Sequence, residues 1–371
     1  MSVKPQSKTK PDLLNSPILP TLKKMTIPMI FGMITLMMFN LVDTFFISLL
    51  GTEPLAAVSF TFPVTFTVIS LAIGLGIGTS AVIAKALGSD NLDEARFDAS
   101  MSLLVSVVMV FCLSALGYLY IEPIFKLLGA GEQVLPLIHD YMSVWFIGSV
   151  FLITPMVGNS VLRASGDTKT PSIVMGGAGL INAILDPVLI FGFGPIPALG
   201  IQGAAIASVI AWAVAVIIIL YILAIKNGLL SLHAGQQTAV SSVRKILKIG
   251  LPAAGANMLT PIAMAVMTAL VAKHGPEAVA AFGVGSRIES IASLVVLALS
   301  MTLPPFISQN FGAGKFERVK EAYSKTLKFV MIWQFAIYIL LLLTSGFIAD
   351  VFGKEQAVMD VIKLFIYILP L

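Results

Sequence analysis

The sequence has few charged residues and a single cysteine. Of its 371 residues, 11% are Asp, Glu, Lys or Arg, whereas 57% are hydrophobic. A soluble domain has about 25% charged residues, so the composition excludes a large soluble globular protein. The one cysteine, Cys112, excludes disulfides within the chain and cysteine-based metal clusters. The basic residues are spread over loops and do not indicate a nucleic-acid partner.

The sequence contains instead a series of long apolar segments. A helix needs about 20 mostly apolar residues to cross the hydrocarbon core of a bilayer. The segments predict an all-α, polytopic membrane protein with nine spans and a tenth that starts near residue 357. The nine segments are approximately 25–50, 56–87, 99–121, 134–162, 171–191, 199–225, 246–271, 279–311 and 322–349.

The loop charges predict how the chain lies in the membrane. Of the 23 Lys and Arg residues, 18 fall in the N-terminal tail and alternate loops on one side, and three, Lys126, Lys273 and Lys354, fall on the other. Basic loops stay in the cytoplasm. We therefore expect a cytoplasmic N-terminus in a multi-pass protein of the plasma (inner) membrane.

An internal repeat divides the chain. A shift of 224 residues aligns Lys24 with Lys248, Pro28 with Pro252 and Gly88 with Gly312, among other pairs. Six spans separate the copies, so both halves have the same orientation. The prediction is a tail at 1–24, an N-lobe of six spans at 25–226, a linker at 227–245 and a partial C-lobe at 246–371. Two pseudo-symmetric six-helix lobes require twelve spans, so about ten are present and we expect a C-terminal truncation.

Asp43 lies near the middle of the first apolar segment, in NLVDT. A carboxylate at a helix centre costs about 2.5–3.5 kcal/mol on insertion scales, so such residues face a cavity or a partner. Asp43 has two accessible states there, protonated or ionised beside a cation. Its repeat partner is Met267, which argues against a structural role shared by both halves. The alternative is a structural hydrogen bond within the bundle.

The fifth segment carries a second polar group. Asn182 and Asp186 are four residues apart, which places both side chains on one helix face. Pro187 has no N–H to donate to the carbonyl of Ala183, so that oxygen is free. Oxygen ligands of this kind suit Na⁺, and the carboxylate can equally bind a proton. The alternative is that the two side chains only form hydrogen bonds between helices.

Other polar or flexible side chains inside spans are candidates for lining a substrate cavity. For each of them the alternative is a role in helix packing. Arg287 and Glu289 are two residues apart, so they point in different directions and need separate partners. The candidates are Asn40, Tyr141, Asn159, Met33, Met37, Arg287 and Glu289.

Several stretches together resemble the MATE family, the multidrug and toxic compound extrusion transporters. They are NLVDT (40–44), PLAAVS (54–59), GSDNLDEAR (88–96), VLRASGDTKTP (161–171) and NAILDPVLIFG (182–192). The resemblance implies a twelve-helix exporter in which Asp43, Asn182 and Asp186 bind the coupling cation and Tyr141 and Asn159 line the cavity. A sixth-span Thr of some relatives has no obvious equivalent in GAAIAS (203–208), and span seven lacks their acidic residue.

The function that the resemblance implies is export of cationic or amphipathic drugs in exchange for H⁺ or Na⁺, by rocking of the two lobes. We expect a monomer in the lipid bilayer that is not an enzyme and has no cofactor or resident metal, apart from the coupling H⁺ or Na⁺. Two alternatives are a flippase for a lipid-linked precursor and an intramembrane aspartyl protease. The flippase would need several cavity arginines, and the protease motif GxGD is matched only by ASGD (164–167) in a loop.

Overall fold

A computed structural model describes residues 12–233, 237–352 and 356–368, and these residues form twelve α-helices. Parts of the predicted tail (1–11), linker (234–236) and C-lobe (353–355 and 369–371) lie outside the described residues. Nine helices in the described ranges are long and apolar enough to cross a membrane. The helices are α1 Ile18–Ser48, α2 Thr52–Gly88, α3 Leu92–Leu119, α4 Ile121–Leu127, α5 Leu135–Ala164, α6 Lys169–Phe191, α7 Gly200–Tyr221, α8 Ala239–Ala272, α9 Pro276–Ala292, α10 Leu294–Gly312, α11 Phe316–Phe352 and α12 Gln356–Ile368.

The helices extend beyond the apolar segments that predicted them. α1 begins at Ile18 and contains Lys23 and Lys24, so part of the predicted tail is helical. Backbone hydrogen bonds continue past the hydrocarbon edge, because a polar side chain at a helix end does not break them. The short helix α4 was not predicted, since its seven residues are too few to show a period. Its Glu122 accepts a hydrogen bond from Lys126, which lowers the pKa of that carboxyl.

The eighth predicted span is wrong as a single helix. The segment 279–311 is divided between α9 and α10 at Ser293, whose ψ of −6° departs from helical geometry. Hydrogen bonds from Ser293 N to Glu289 O (2.8 Å) and from Leu297 N to Ser293 O (2.9 Å) continue across the break. Backbone hydrogen bonding therefore continues at the break, and hydropathy cannot detect the break because the apolar composition continues through it.

The chain forms two compact units. The first contains the residues up to Met258 together with Thr302–Lys315, and the second contains Leu259–Met301 and the residues from Phe316 onward. The start of α8 belongs to the first unit, where Ser242 donates a 2.5 Å hydrogen bond to the buried Asp98 of α3. The predicted lobe boundary at 227–245 stays a prediction, because these units are divided within α8 and α10.

Packing of α6 between α1 and α7 positions the polar residues of the first unit. On one side, Gly32 of α1 lies against Ser172 of α6. On the other, Gly203 of α7 faces the α6 backbone, where a Cβ would lie 2.6 Å from the carbonyl carbon of Leu189. Only glycine allows α6 and α7 to approach this closely. Helix α1 therefore contacts α6 near its start, and α7 contacts it near its end.

Candidate functional site

Two acidic side chains from different helices are in contact in the first unit. The carboxyl groups of Asp43 on α1 and Asp186 on α6 lie within hydrogen-bonding contact of each other. Asp186 is fully buried and Asp43 is partly buried. The Asn182 amide, one turn away on α6, donates to Asp186 Oδ1 over 3.1 Å. The structure therefore brings together the three residues predicted to bind the coupling cation, and their role stays a prediction.

This arrangement is suited to binding a small positive ion. Two ionised carboxylates in contact repel, so the pair is stable when a proton or a cation compensates one negative charge. One oxygen of each acid, Asp43 Oδ1 and Asp186 Oδ2, is buried and has no hydrogen-bond partner in the part of the chain that the structure describes. Buried polar atoms are normally satisfied. These two oxygens are therefore available to hold a proton or to coordinate a cation.

A fourth residue of the site was missed by the sequence analysis. The Asn182 amide also donates to the hydroxyl of Ser208 on α7, over 3.3 Å. Ser208 is the last residue of GAAIAS, the stretch in which no equivalent of the sixth-span Thr was found. The Ser208 hydroxyl was the available signal for such an equivalent, because serine differs from threonine by only one methyl group.

The two cavity candidates of α5 lie far apart. Tyr141 is buried and close enough to both Asp43 and Asp186 to interact electrostatically with them. Asn159 is 18 residues further along the same helix, which corresponds to about 27 Å at 1.5 Å per residue. Asn159 is buried and its Oδ1 has no partner. Of the two, only Tyr141 lies near the acidic pair, and a role for either side chain in the cavity stays a prediction.

The remaining candidates on α1 lie on its less buried faces. Asn40 and Met37 are exposed and Met33 is half-buried. The Asn40 carbonyl accepts a hydrogen bond from the Thr44 hydroxyl over 2.8 Å. A face of this kind is open to a cavity or to lipid, so a role for these three side chains in substrate binding stays a prediction.

Arg287 and Glu289 lie on α9 in the second unit, and both are exposed. Within the part of the chain that the structure describes, neither forms an ion pair. Glu289 lines a cavity of about 70 Å³ together with Ser293 and Gln334. Arg287 does not line that cavity, and a role for either side chain in substrate binding stays a prediction.

Comparisons with known proteins identify the family. The MatE family model matches residues 28–188 and 252–371. The chain is 45% identical over 364 residues to a protein of Shewanella oneidensis named "FAD transporter", covering 98% of this chain and 80% of that protein. It is 28% identical to "Probable multidrug resistance protein YoeA" of Bacillus subtilis, covering 83% of this chain and 67% of that protein. The crystal structure of the Vibrio cholerae MATE transporter VcmN in the bent form matches with a TM-score of 0.89 and 34% identity, over 95% of this chain and 79% of that one. This chain therefore belongs to the MatE family of multi-pass membrane transporters.

Proposed function

We propose that this protein is a secondary antiporter that exports small organic molecules in exchange for protons, and that Asp43 and Asp186 form its proton-binding site. The observation that carries the proposal is the contact between their carboxyl groups. A proton shared by the pair removes their repulsion, whereas Na⁺ would have to separate the two carboxyl groups. Asn182 and Ser208 hold Asp186 in place.

Proton entry supplies the free energy for export. One charge that moves across 100 mV provides about 2.3 kcal/mol, which corresponds to roughly 50-fold accumulation. Protonation from outside removes one of the two negative charges of the acidic pair and changes the packing of α1 against α6. Movement of the two halves of the molecule then exposes the site to the other side. The cycle is complete when the proton leaves to the cytoplasm and a new substrate binds.

Two substrate classes follow from the relatives. The Shewanella oneidensis relative, at 45% identity over nearly the whole chain, is named an FAD transporter, and the Bacillus subtilis relative at 28% identity is named for multidrug resistance. We propose flavin dinucleotides as the first substrate class and cationic or amphipathic drugs as the second. The pyrophosphate of a dinucleotide is negatively charged, and an inside-negative potential favours the exit of each negative charge by about 2.3 kcal/mol per 100 mV.

We propose a plasma (inner) membrane location with a cytoplasmic N-terminus. The support is the division of the basic residues, with 18 on one side and three on the other. The protein works as a monomer in this proposal, because both carboxyl groups of the proton site come from one chain.

Inverted membrane vesicles from cells that express the full-length protein test the proposal. Uptake into such vesicles corresponds to export from the cell. A pH gradient that is acidic inside the vesicle should drive accumulation of FAD, because protons leave through the antiporter as FAD enters. A pH gradient that is acidic outside the vesicle should not drive FAD accumulation. A Na⁺ gradient imposed alone should also have no effect.

Three outcomes would contradict parts of the proposal. FAD accumulation driven by Na⁺ alone would replace the proton with Na⁺ as the coupling ion. Accumulation of a cationic dye such as ethidium, but not of FAD, would favour the second substrate class. If neither compound accumulates under either gradient, the antiporter assignment is wrong.

Ser208→Ala is expected to shift the proton affinity of the acidic pair without abolishing transport. The substitution removes the hydroxyl that accepts from Asn182, and a hydrogen bond of this kind contributes about 0.5–1.5 kcal/mol. A hydrogen bond donated to a carboxylate stabilises its ionised form, so a less well held Asn182 amide should raise the apparent proton affinity by about 2- to 12-fold, measured from the pH dependence of uptake at constant potential. Ser208→Thr, which keeps the hydroxyl, should retain wild-type affinity.

Ser59→Ala provides the matched control for Ser208→Ala. Ser59 is exposed, and its hydroxyl donates only to the carbonyl of Leu55 in the preceding turn. Loss of the Ser59 hydroxyl should not change the pH dependence of uptake. Equal effects of Ser59→Ala and Ser208→Ala would show that Ser208 has no specific role at the acidic site.

A further inference from the structure

Arg163 is a cation without an anionic partner. It lies in the last turn of α5 and is half-buried. Its Nη2 donates to the Ser160 hydroxyl over 2.5 Å, and no carboxylate of the described residues pairs with it. Arg96, at the start of α3, differs because it has both Asp93 (3.6 Å) and the carbonyl of Gly228 (2.8 Å). A partly buried cation that meets only a hydroxyl is incompletely compensated.

Further polar side chains lie at the same end of α2 and α5. Ser160 packs against Gly76 of α2, where a Cβ would lie 2.6 Å from its Oγ. Because α2 and α5 are separated by one intervening span, they run in the same direction. Ser80, one turn beyond Gly76, therefore lies level with the last turn of α5. The Ser80 hydroxyl is buried and has no hydrogen-bond partner among the described residues, as is true of Asn159 Oδ1 one turn before Arg163.

We propose that Arg163, Ser160 and Ser80 form a subsite for the phosphate groups of the exported substrate. A guanidinium presents two parallel N–H groups that match phosphate oxygens, and its charge compensates that of the phosphate. The Ser80 hydroxyl can donate to a phosphate oxygen, whereas the Ser160 hydroxyl donates to the carbonyl of Met156 over 3.1 Å and holds the guanidinium in place by accepting from it. This inference rests on the proposed export of dinucleotides, whose pyrophosphate is the anionic part. Drugs without a phosphate group do not need the subsite.

The contacts of α5 indicate the side from which the subsite is filled. The carbonyl of Ala164, the residue next to Arg163, accepts a hydrogen bond from Gln309 of α10 over 2.7 Å. The neighbouring Asn310 in turn donates to the carbonyl of Leu13 over 3.0 Å. The end of α10 thus lies across the end of α5 that loop charges place in the cytoplasm. When this segment moves away, the subsite opens to the cytoplasm and captures the substrate there.

Arg163→Gln tests the subsite in the full-length protein in inverted vesicles. At FAD concentrations below saturation, we expect at least a tenfold decrease in FAD uptake, with no change in uptake of ethidium, a cation without phosphate. Arg163→Lys keeps the charge but loses the two parallel N–H groups, so we expect an intermediate decrease in FAD uptake. Lys169→Gln removes an equal charge from an exposed residue at the start of α6 and should behave like wild type.

Two results in these vesicles would overturn the inference. One is FAD uptake by Arg163→Gln at the wild-type rate. The other is a proportional loss of FAD and ethidium uptake, which would show that Arg163 has a structural role. If Arg163→Gln does not reach the membrane, uptake of FAD and of ethidium by Arg163→Lys and Ser80→Ala tests the inference instead.

Pyrophosphate binding separates this inference from the proposed function. Calorimetry on the purified protein in phosphatidylcholine nanodiscs should show weaker pyrophosphate binding by Arg163→Gln than by wild type, even if FAD is not transported. Wild type that does not bind pyrophosphate, or equal binding by both proteins, would overturn the subsite. A third outcome combines two results: phosphatidylglycerol in the nanodiscs abolishes pyrophosphate binding, and FAD uptake does not depend on Arg163. In that case the ligand of Arg163 is a lipid headgroup, and the substrate subsite is overturned.

Discussion

Asp43→Asn is expected to reduce export to the level of cells that carry an empty vector, while the protein still reaches the membrane. Asparagine has nearly the same size and can still form a hydrogen bond with Asp186, so the packing of α1 against α6 should persist. An amide cannot take up and release a proton. Asp186 would then have no acidic partner, and the acidic pair could no longer alternate between two charge states.

The experiment for Asp43 measures drug or flavin export in cells that express the full-length protein, with membrane protein amounts determined in parallel. Asp186→Asn should give the same loss, because either substitution leaves one carboxyl group. Asp140→Asn is the matched control, since Asp140 is exposed near the start of α5 and should tolerate the same chemical change. Normal export by Asp43→Asn cells would refute the proton-site assignment.

Gly88→Val is expected to disrupt the packing of α2 against the end of α10. A Cβ on Gly88 would lie 2.8 Å from the Cα atom of Gln309, and one on Gly312 would lie 3.0 Å from the carbonyl carbon of Lys85. Both contacts are with backbone, which cannot move aside as a flexible side chain can. Overpacking typically costs about 1–3 kcal/mol. We expect a lower unfolding midpoint in detergent and a loss of transport, because Gln309 also binds the end of α5.

Gly177→Ala is the matched control for Gly88→Val. Gly177 lies inside α6, and a Cβ there would meet no atom within 4 Å. Alanine favours the helix by about 1 kcal/mol relative to glycine, so this variant should be at least as stable as wild type. An unfolding midpoint for Gly88→Val or Gly88→Ala equal to that of wild type would contradict the close approach of α2 and α10.

The sequence predicted the helices better than it predicted their ends and breaks. The apolar segments identified the membrane-spanning helices because each helix must be mostly apolar along its own length to cross the hydrocarbon core. The extension of α1 to Ile18, the short α4 and the break at Ser293 were missed. These features depend on capping, loop geometry and neighbouring helices, which leave no signal in hydropathy.

The candidate site was predicted from its carboxylates and completed by the structure. Asp43 and Asp186 were found because a buried charge is costly and therefore conspicuous in an apolar segment. Ser208 was missed because serine is common within membrane helices and costs little there, so its presence alone is a weak signal. Arg163 is conspicuous only in the structure, where its lack of an anionic partner can be seen.

By itself, the sequence determined that this chain crosses the membrane many times, that it contains a repeated unit with Gly88 and Gly312 in equivalent places, and that Asn182 and Asp186 share a helix face. Each of these properties follows from local composition or from residues within one helix. Only the tertiary structure decided that Asp43 contacts Asp186, that Ser208 joins them and that Gly88 meets Gln309. Such contacts join segments distant in sequence, and they depend on how the surfaces of separate helices fit together.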